Sequence, residues 1–176
     1  MKSHIEIRTK KCLFRPSDLE RAAEITLRAI RKSGWGLNVA IVASPEMKAI
    51  HKKFFNDPSD TDSMSFSQVE GKLVRGEKIL GDVFLCWDQI KGQAPRFGHT
   101  PKEELIYCMI HGILHLVGYD DATPRAKRKM FKKQDEIFRT LSSLRRQGSS
   151  VPFRGLDPCL RRDDKSPLCP SKKLKP

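Results

Sequence analysis

The spacing of apolar residues divides the first part of the chain into strands and helices. Residues 4–10 alternate between apolar and polar side chains, as in a half-buried strand. After Pro16, apolar residues recur at the helical period towards Gly34, which predicts an amphipathic helix. The β-branched run 37–44 predicts a buried strand, and Pro45 begins a short helix that extends to residue 55. The chain therefore opens with two strand–helix units.

Two more strands and two more helices are predicted further along. Residues 56–63 have the composition of a turn, and strands are expected at 64–70 and 81–87. Thr100 and Pro101 begin a helix to about Val117, and its many apolar positions indicate a buried central helix. Thr123 and Pro124 begin the last helix. Four strands thus precede the central helix.

The amino-acid composition changes near residue 148. Residues 148–176 are dense in Pro, Ser and Lys, lack periodicity, and carry seven basic against three acidic residues, a net charge of +4. We expect one domain over 1–147 followed by a flexible basic tail over 148–176.

Composition indicates a soluble, cytoplasmic protein. Hydrophobic residues make up 38% and charged residues 31%. No apolar run approaches the roughly 20 residues of a membrane-spanning helix, and residues 1–10 lack the apolar core of a signal peptide. The five cysteines are odd in number and form no Cys-x-x-Cys pair, so reduced thiols are expected.

The charge balance points to a polyanionic partner. Thirty-four Lys and Arg against 21 Asp and Glu give +13 at pH 7, which makes nucleic acid the first candidate. A basic chain can equally be a solvated one that binds RNA without specificity. Because aromatic residues are only 7%, base stacking is not expected to dominate, and RNA binding should depend strongly on salt.

One basic cluster stands out in the segment 125–133, which holds six basic residues and no acidic ones. It lies at the start of a predicted helix, where the helix dipole disfavours cations. An RNA backbone alongside would offset that cost, whereas a solvated helix face is the alternative interpretation. The candidate RNA-binding residues here are Arg125, Arg128, Lys129 and Lys132.

The segment HGILHLVGYDD (111–121) has the spacing of a metal site. His111 and His115, four residues apart, lie on one face of the central helix. Gly118 can end the helix and turn the chain back, so that Asp120 or Asp121 reaches the same ion. Three protein ligands leave a fourth position open, as in catalytic zinc sites. A pair of satisfied core histidines is the alternative.

A peptidase is disfavoured by the residue that follows the first histidine. The spacing His-x3-His-x2-Gly-x2-Asp is the one that metzincin proteases use with a final histidine, but their glutamate general base is here Gly112. A peptide-cleaving hydrolase therefore remains only a third interpretation.

The motif HGILHLVGYDD, preceded by DTDSMSF (60–66) and ILGDVFLC (79–86), resembles the YbeY family of metal-dependent endoribonucleases, or rRNA maturation factors. The resemblance implies an α/β (α+β) single domain, with a mixed sheet of about four strands packed with helices and a metal site at the end of the central helix. It also implies one Zn²⁺ ion, a single-stranded RNA substrate, and roles in the 3′-end maturation of small-subunit ribosomal RNA and in ribosome quality control.

Carried over to this sequence, the resemblance gives metal ligands His111 and His115, with Asp121 where the family has a third histidine. A carboxylate would make the ion a weaker Lewis acid, so a slower site or a preference for a harder ion such as Mn²⁺ is expected. Thr61 and Ser65 match the family strand that lines the RNA cleft.

A second departure from the family concerns its arginine, whose position is occupied by Phe55. Lys52 or Lys53 is the candidate replacement for that charge, although neither shares the direction of residue 55 on a helix. Asp120 is the only candidate general base, and its other interpretation is a carboxylate that caps the turn or orients a ligand histidine.

The functional prediction is a cytoplasmic endoribonuclease in which a zinc-bound water attacks a phosphodiester, with His111, His115 and Asp120 as its catalytic residues. The alternative is a non-catalytic RNA-binding ribosome-assembly factor that retains the metalloenzyme fold. The expected partners are single-stranded RNA or the ribosome, without a membrane or a dinucleotide cofactor.

Overall fold

The computed structural model describes residues 3–68 and 78–146, with side chains up to residue 143. Four strands lie within these ranges: β1 (His4–Ile7), β2 (Gly36–Val42), β3 (Ser63–Ser67) and β4 (Ile79–Cys86). The helices are α1 (Pro16–Ala29), α2 (Ser44–Phe55), α3 (Trp87–Gln93), α4 (Pro101–Leu116) and α5 (Pro124–Arg146), and a 3-10 turn spans Ala94–Phe97.

The four strands form one mixed sheet in the order β1-β2-β4-β3. β1, β2 and β4 run parallel, whereas β3 pairs antiparallel with β4 at the edge. The parallel strands are joined through helices, as parallel connections require. The predicted mixed sheet of about four strands is confirmed.

Alternate residues of the central strands enter two different cores. In β4, Val83 and Leu85 face the larger core, which α1, α4 and α5 help to form. Phe84 and Cys86 face a smaller core under α2. The alternation follows from the two-residue period of a strand, and it places β3 and β4 directly against α4.

Several element bounds differ from the predicted ones. β1 ends at Ile7 and α1 at Ala29, both earlier than the apolar pattern indicated. The predicted strand 81–87 begins at Ile79 instead, and its last residue, Trp87, opens α3, a seven-residue helix that the sequence did not predict. Part of the predicted strand 64–70 and the tail 148–176 lie outside the described residues.

Within the residues that the structure covers, none of the helices combines the length and apolar character needed to cross a bilayer.

Candidate metal centre

The helix that carries both histidines has a well-defined start and a buried course. The Glu103 N–H donates to the Thr100 side chain, and the Thr100 N–H donates to Glu103 Oε2, which completes a capping box. Every residue from Glu104 to Leu116 is buried. His111 and His115 therefore project from a rigid element of the core.

Gly112 allows this helix to pack directly on the sheet. A Cβ atom at this position would lie 2.6 Å from Val83 Cγ1, well inside contact distance. Ser65 Oγ approaches from β3 and donates to the Gly112 carbonyl at 3.1 Å. The position at which metallopeptidases carry their glutamate base thus has no room for a side chain, so the peptidase interpretation fails for a steric reason as well as a chemical one.

A left-handed glycine ends α4 and returns the chain towards the histidines. Gly118 has φ +91°, its N–H donates to the His115 carbonyl, and the Tyr119 N–H donates to the Leu114 carbonyl, both at 3.0 Å. These two bonds are those of a Schellman motif. Asp121, three residues beyond the glycine, is thereby brought back over the last turn of the helix.

The structure brings His111, His115 and Asp121 together, and one ligand atom from each lies within 4.8 Å of the others. The two Nε2 atoms are 3.0 Å apart. The Asp121 carboxylate oxygens lie 3.8 Å from His111 Nε2 and 3.9 Å from His115 Nε2. This arrangement can hold a metal ion.

The outer ring nitrogens of both histidines meet hydrogen-bond acceptors. His111 Nδ1 lies 3.1 Å from Gln134 Oε1, and His115 Nδ1 lies 3.0 Å from the Tyr119 carbonyl oxygen. Gln134 Nε2 donates to the Tyr107 carbonyl at 3.0 Å, which fixes the orientation of the amide. Each Nδ1 therefore carries the hydrogen, and both Nε2 lone pairs point into the space between the three side chains.

The chemistry of this donor set fits a divalent transition ion. Two imidazole lone pairs that face each other at 3.0 Å repel unless a cation or a proton lies between them. The adjacent carboxylate adds the negative charge that favours a cation, and the set of two nitrogens and one oxygen is found at catalytic zinc sites.

The hydrogen bonds of Asp120 complicate its assignment as a general base. Its Oδ1 accepts the N–H groups of Asp121 at 2.8 Å and Ala122 at 3.2 Å, and the residue is exposed. The Asp120 carboxylate thus holds the turn that presents the candidate ligand Asp121. This geometry corresponds to the capping role considered from the sequence.

The predicted RNA-cleft residues occupy two different environments. Thr61 is 4% exposed and its hydroxyl donates to the Ser63 carbonyl, so it shapes the entry to β3. Ser65, in contrast, donates to the Gly112 carbonyl of α4. Lys52 and Lys53 are exposed near the end of α2.

Phe55, at the position where the sequence resemblance leads us to expect arginine, packs against the smaller core. Its ring lies 5.2 Å from the His51 ring and stacks on Phe66 with centroids 6.1 Å apart. Packing of this kind suits the phenyl ring and supplies no cation at this point.

The basic start of α5 lies next to the metal centre. Lys129 Nζ lies 5.7 Å from the centroid of Tyr119, whose carbonyl binds His115. Arg125, Arg128 and Lys132 are exposed. The structure therefore associates this basic segment with the turn that carries Asp121.

Two residues of α5 in contact with His111 were not singled out from the sequence. Gln134 is buried and binds its Nδ1, and the Phe131 ring lies 5.9 Å from the imidazole, centroid to centroid. The one signal for Gln134 in the sequence is that a polar residue stands where the apolar period of α5 predicts a buried position.

The fold and the site together define an α+β protein in which two histidines and an aspartate at the end of the central helix can hold a metal ion. The family model described as endoribonuclease YbeY matches residues 4–142. The chain belongs to this family of metal-dependent endoribonucleases, which confirms the family and enzyme class predicted from the motif.

Curated relatives support the same assignment. The endoribonuclease YbeY of Cutibacterium acnes is 38% identical over 116 residues, covering 63% of this chain and 75% of that protein. The one from Aquifex aeolicus is 33% identical over 132 residues, covering 75% of this chain and 87% of that protein. A solution structure of a Thermotoga maritima protein aligns with a TM-score of 0.58 at 25% identity, covering 88% of this chain and 99% of that one.

Proposed function

We propose that this protein is a zinc-dependent, single-strand-specific endoribonuclease of the cytoplasm, acting in 3′-end maturation of small-subunit ribosomal RNA and in ribosome quality control. The observation that carries the proposal is the convergence of two imidazole Nε2 atoms and one carboxylate beside a basic helix start. This arrangement combines ligands for an ion with cations for a polyanion.

His111, His115 and Asp121 would hold the ion. When bound, the ion supplies Lewis acidity towards a phosphodiester. The chain itself orients the ligands, because Gln134 and the Tyr119 carbonyl hold the two imidazoles in one tautomer and orientation. The capped turn keeps the aspartate in place.

The RNA strand would be bound mainly through its phosphates. Arg125, Arg128, Lys129 and Lys132 form the basic surface nearest the centre, and their exposure leaves them able to bind phosphate. Lys52 and Lys53 would extend the contact on α2, and the strand containing Thr61 and Ser65 would line the cleft.

Asp120 is the candidate general base, and one substitution separates this role from capping. Asp120→Asn retains a side-chain oxygen for the two backbone N–H groups but cannot accept a proton at neutral pH. A base role predicts a fall in kcat of about a hundredfold or more, with unchanged metal content. Unaltered kcat would leave Asp120 with the capping role alone.

The proposal is tested by metal content and nuclease activity measured on the same preparations. Wild type purified without chelator should carry about one equivalent of zinc and cleave single-stranded but not duplex RNA. His111→Ala and His115→Ala should lose both properties, and His4→Ala, which alters an exposed histidine on β1, should lose neither. A wild type that carries metal but cleaves no RNA would reject the endonuclease proposal.

A non-catalytic RNA-binding assembly factor is the second candidate, and the packing of Phe55 in the smaller core favours it. Under this alternative, salt-dependent RNA binding would persist in wild type and in His111→Ala alike, and no cleavage would be found in either protein.

A further inference from the structure

One face of α5 lies against the metal centre. Lys127, Phe131 and Gln134 are spaced four and three residues apart, so their side chains share one side of the helix. Gln134 binds His111 Nδ1, and the Phe131 ring packs on the His111 ring. The side of α5 that carries Lys127 is therefore the side that faces the centre.

Lys127 rests on the aromatic ring that borders this centre. Its Nζ lies 5.8 Å from the Phe131 centroid, within the range of a cation–π contact. The residue is half-buried, so the ring restricts where the ammonium group can move. The His111 imidazole and the Lys127 ammonium group thus both lie close to the same phenyl ring.

Lys127 is one of the lysines that have no carboxylate partner among the described residues. Lys133, on the same helix, pairs with Glu136, and Lys102 pairs with Asp18. Among residues 3–68 and 78–143, Lys127 forms no ion pair. Its charge lies in the first turn of α5, where the helix dipole disfavours it, so an anion beside it would be favourable.

We infer that Lys127, held against Phe131, binds the RNA phosphate next to the one that lies at the metal. The inference rests on the proposed function, because it assigns a phosphate subsite to the same centre. Lys127 Nζ and the His111 ring lie 5.8 Å and 5.9 Å from the Phe131 centroid, so the ammonium group borders the centre without being one of its three candidate ligands. A phosphate bound by Lys127 would therefore lie beside the one in contact with the ion.

The first measurement is equilibrium binding of a short single-stranded oligoribonucleotide to chelator-treated protein over a series of salt concentrations. Lys127→Gln should reduce the slope of log K against log salt by about 0.7, the contribution of one phosphate contact on a single strand. Its dissociation constant should rise about fivefold, the upper end for one exposed ion pair. Lys127→Arg should retain the wild-type slope.

Lys102→Gln is the matched control for this charge loss. Lys102 Nζ also lies over a phenyl ring, 5.6 Å from the Phe14 centroid, but at the opposite end of α4 from Tyr119. The slope of log K against log salt for Lys102→Gln should equal that of wild type. An unchanged slope in Lys127→Gln, or an equal fall in Lys102→Gln, would overturn the inference.

The second measurement is steady-state cleavage by the metal-loaded enzyme. A neighbouring phosphate is bound equally in the ground and transition states, so Lys127→Gln should raise KM and leave kcat nearly unchanged. A fall in kcat at constant KM would count against the subsite. If wild type cleaves no RNA, the endonuclease proposal fails, while the salt slopes still decide whether Lys127 contacts phosphate.

Discussion

Replacement of Gln134 by leucine would remove two hydrogen bonds from the interior while keeping a side chain of similar size. His111 Nδ1 would lose its 3.1 Å acceptor, and the Tyr107 carbonyl would lose its 3.0 Å donor. The buried imidazole N–H costs about 1–3 kcal/mol when left without this acceptor, and the second bond contributes about 1 kcal/mol. We expect the free energy of unfolding of metal-free protein to fall by about 2–4 kcal/mol.

Metal affinity should fall as well, because the acceptor fixes the ring orientation and raises its basicity. Loss of such a contact typically weakens metal binding 10- to 100-fold. At a fixed excess of zinc, the stabilisation of the folded state by the ion would then decrease by about 1.4–2.8 kcal/mol. Chemical denaturation of wild type and Gln134→Leu, each with chelator and with zinc, measures both quantities.

Gln134→Glu separates the two effects. A carboxylate still accepts the His111 hydrogen but, when ionised, cannot donate to Tyr107. This variant should lose stability without zinc yet bind zinc at least as well as wild type. A folded Gln134→Leu protein with unchanged zinc affinity would refute the orienting role of this residue.

Three further substitutions test other parts of the structure. Gly112→Ala should lower the free energy of unfolding by about 1–3 kcal/mol through overpacking against β4, whereas Gly92→Ala, with no atom within 4 Å of the new Cβ, should not; equal effects in denaturant would exclude the steric argument. Asp121→His should raise zinc affinity relative to Mn²⁺ in competition titrations, and an unchanged preference would show that the carboxylate does not set it. The hydrogen bond from the Ser44 N–H lowers the pKa of Asp88 below its ordinary value. Asp88 therefore adds stability above about pH 4, and this stability is lost as acid protonates the carboxylate. Asp88→Asn should reduce the loss of stability in acid, and an unchanged dependence of stability on acidic pH would contradict this reasoning.

The order of the elements was readable from the sequence because each depends on local signals. The helix start at Thr100 and Pro101 and the glycine at 118 follow from backbone chemistry that neighbouring residues determine. Alternation in β1 and the β-branched run of β2 predicted strands for the same reason. The two histidines were likewise expected on one face, since helical spacing alone places them there.

Features that depend on distant residues were not accessible in this way. The strand order β1-β2-β4-β3 reflects which faces pack together, and no local pattern encodes it. α3 was missed because a seven-residue helix follows the strand directly and offers only Trp87 and Ile90 as buried positions. Gln134 and Phe131 reach His111 only after α5 packs on α4, 20 or so residues further along the chain.

The three residues that can hold the ion lie within eleven consecutive positions, whereas Gln134 comes from another helix. Metal binding by these three residues alone would therefore depend little on how the rest of the molecule packs. Gln134 changes this, because a bound ion would be held most tightly only when α5 is docked on α4. By thermodynamic reciprocity, such an ion would strengthen the docking of α5 by the same factor. The position of the basic first turns of that helix would then depend on metal occupancy.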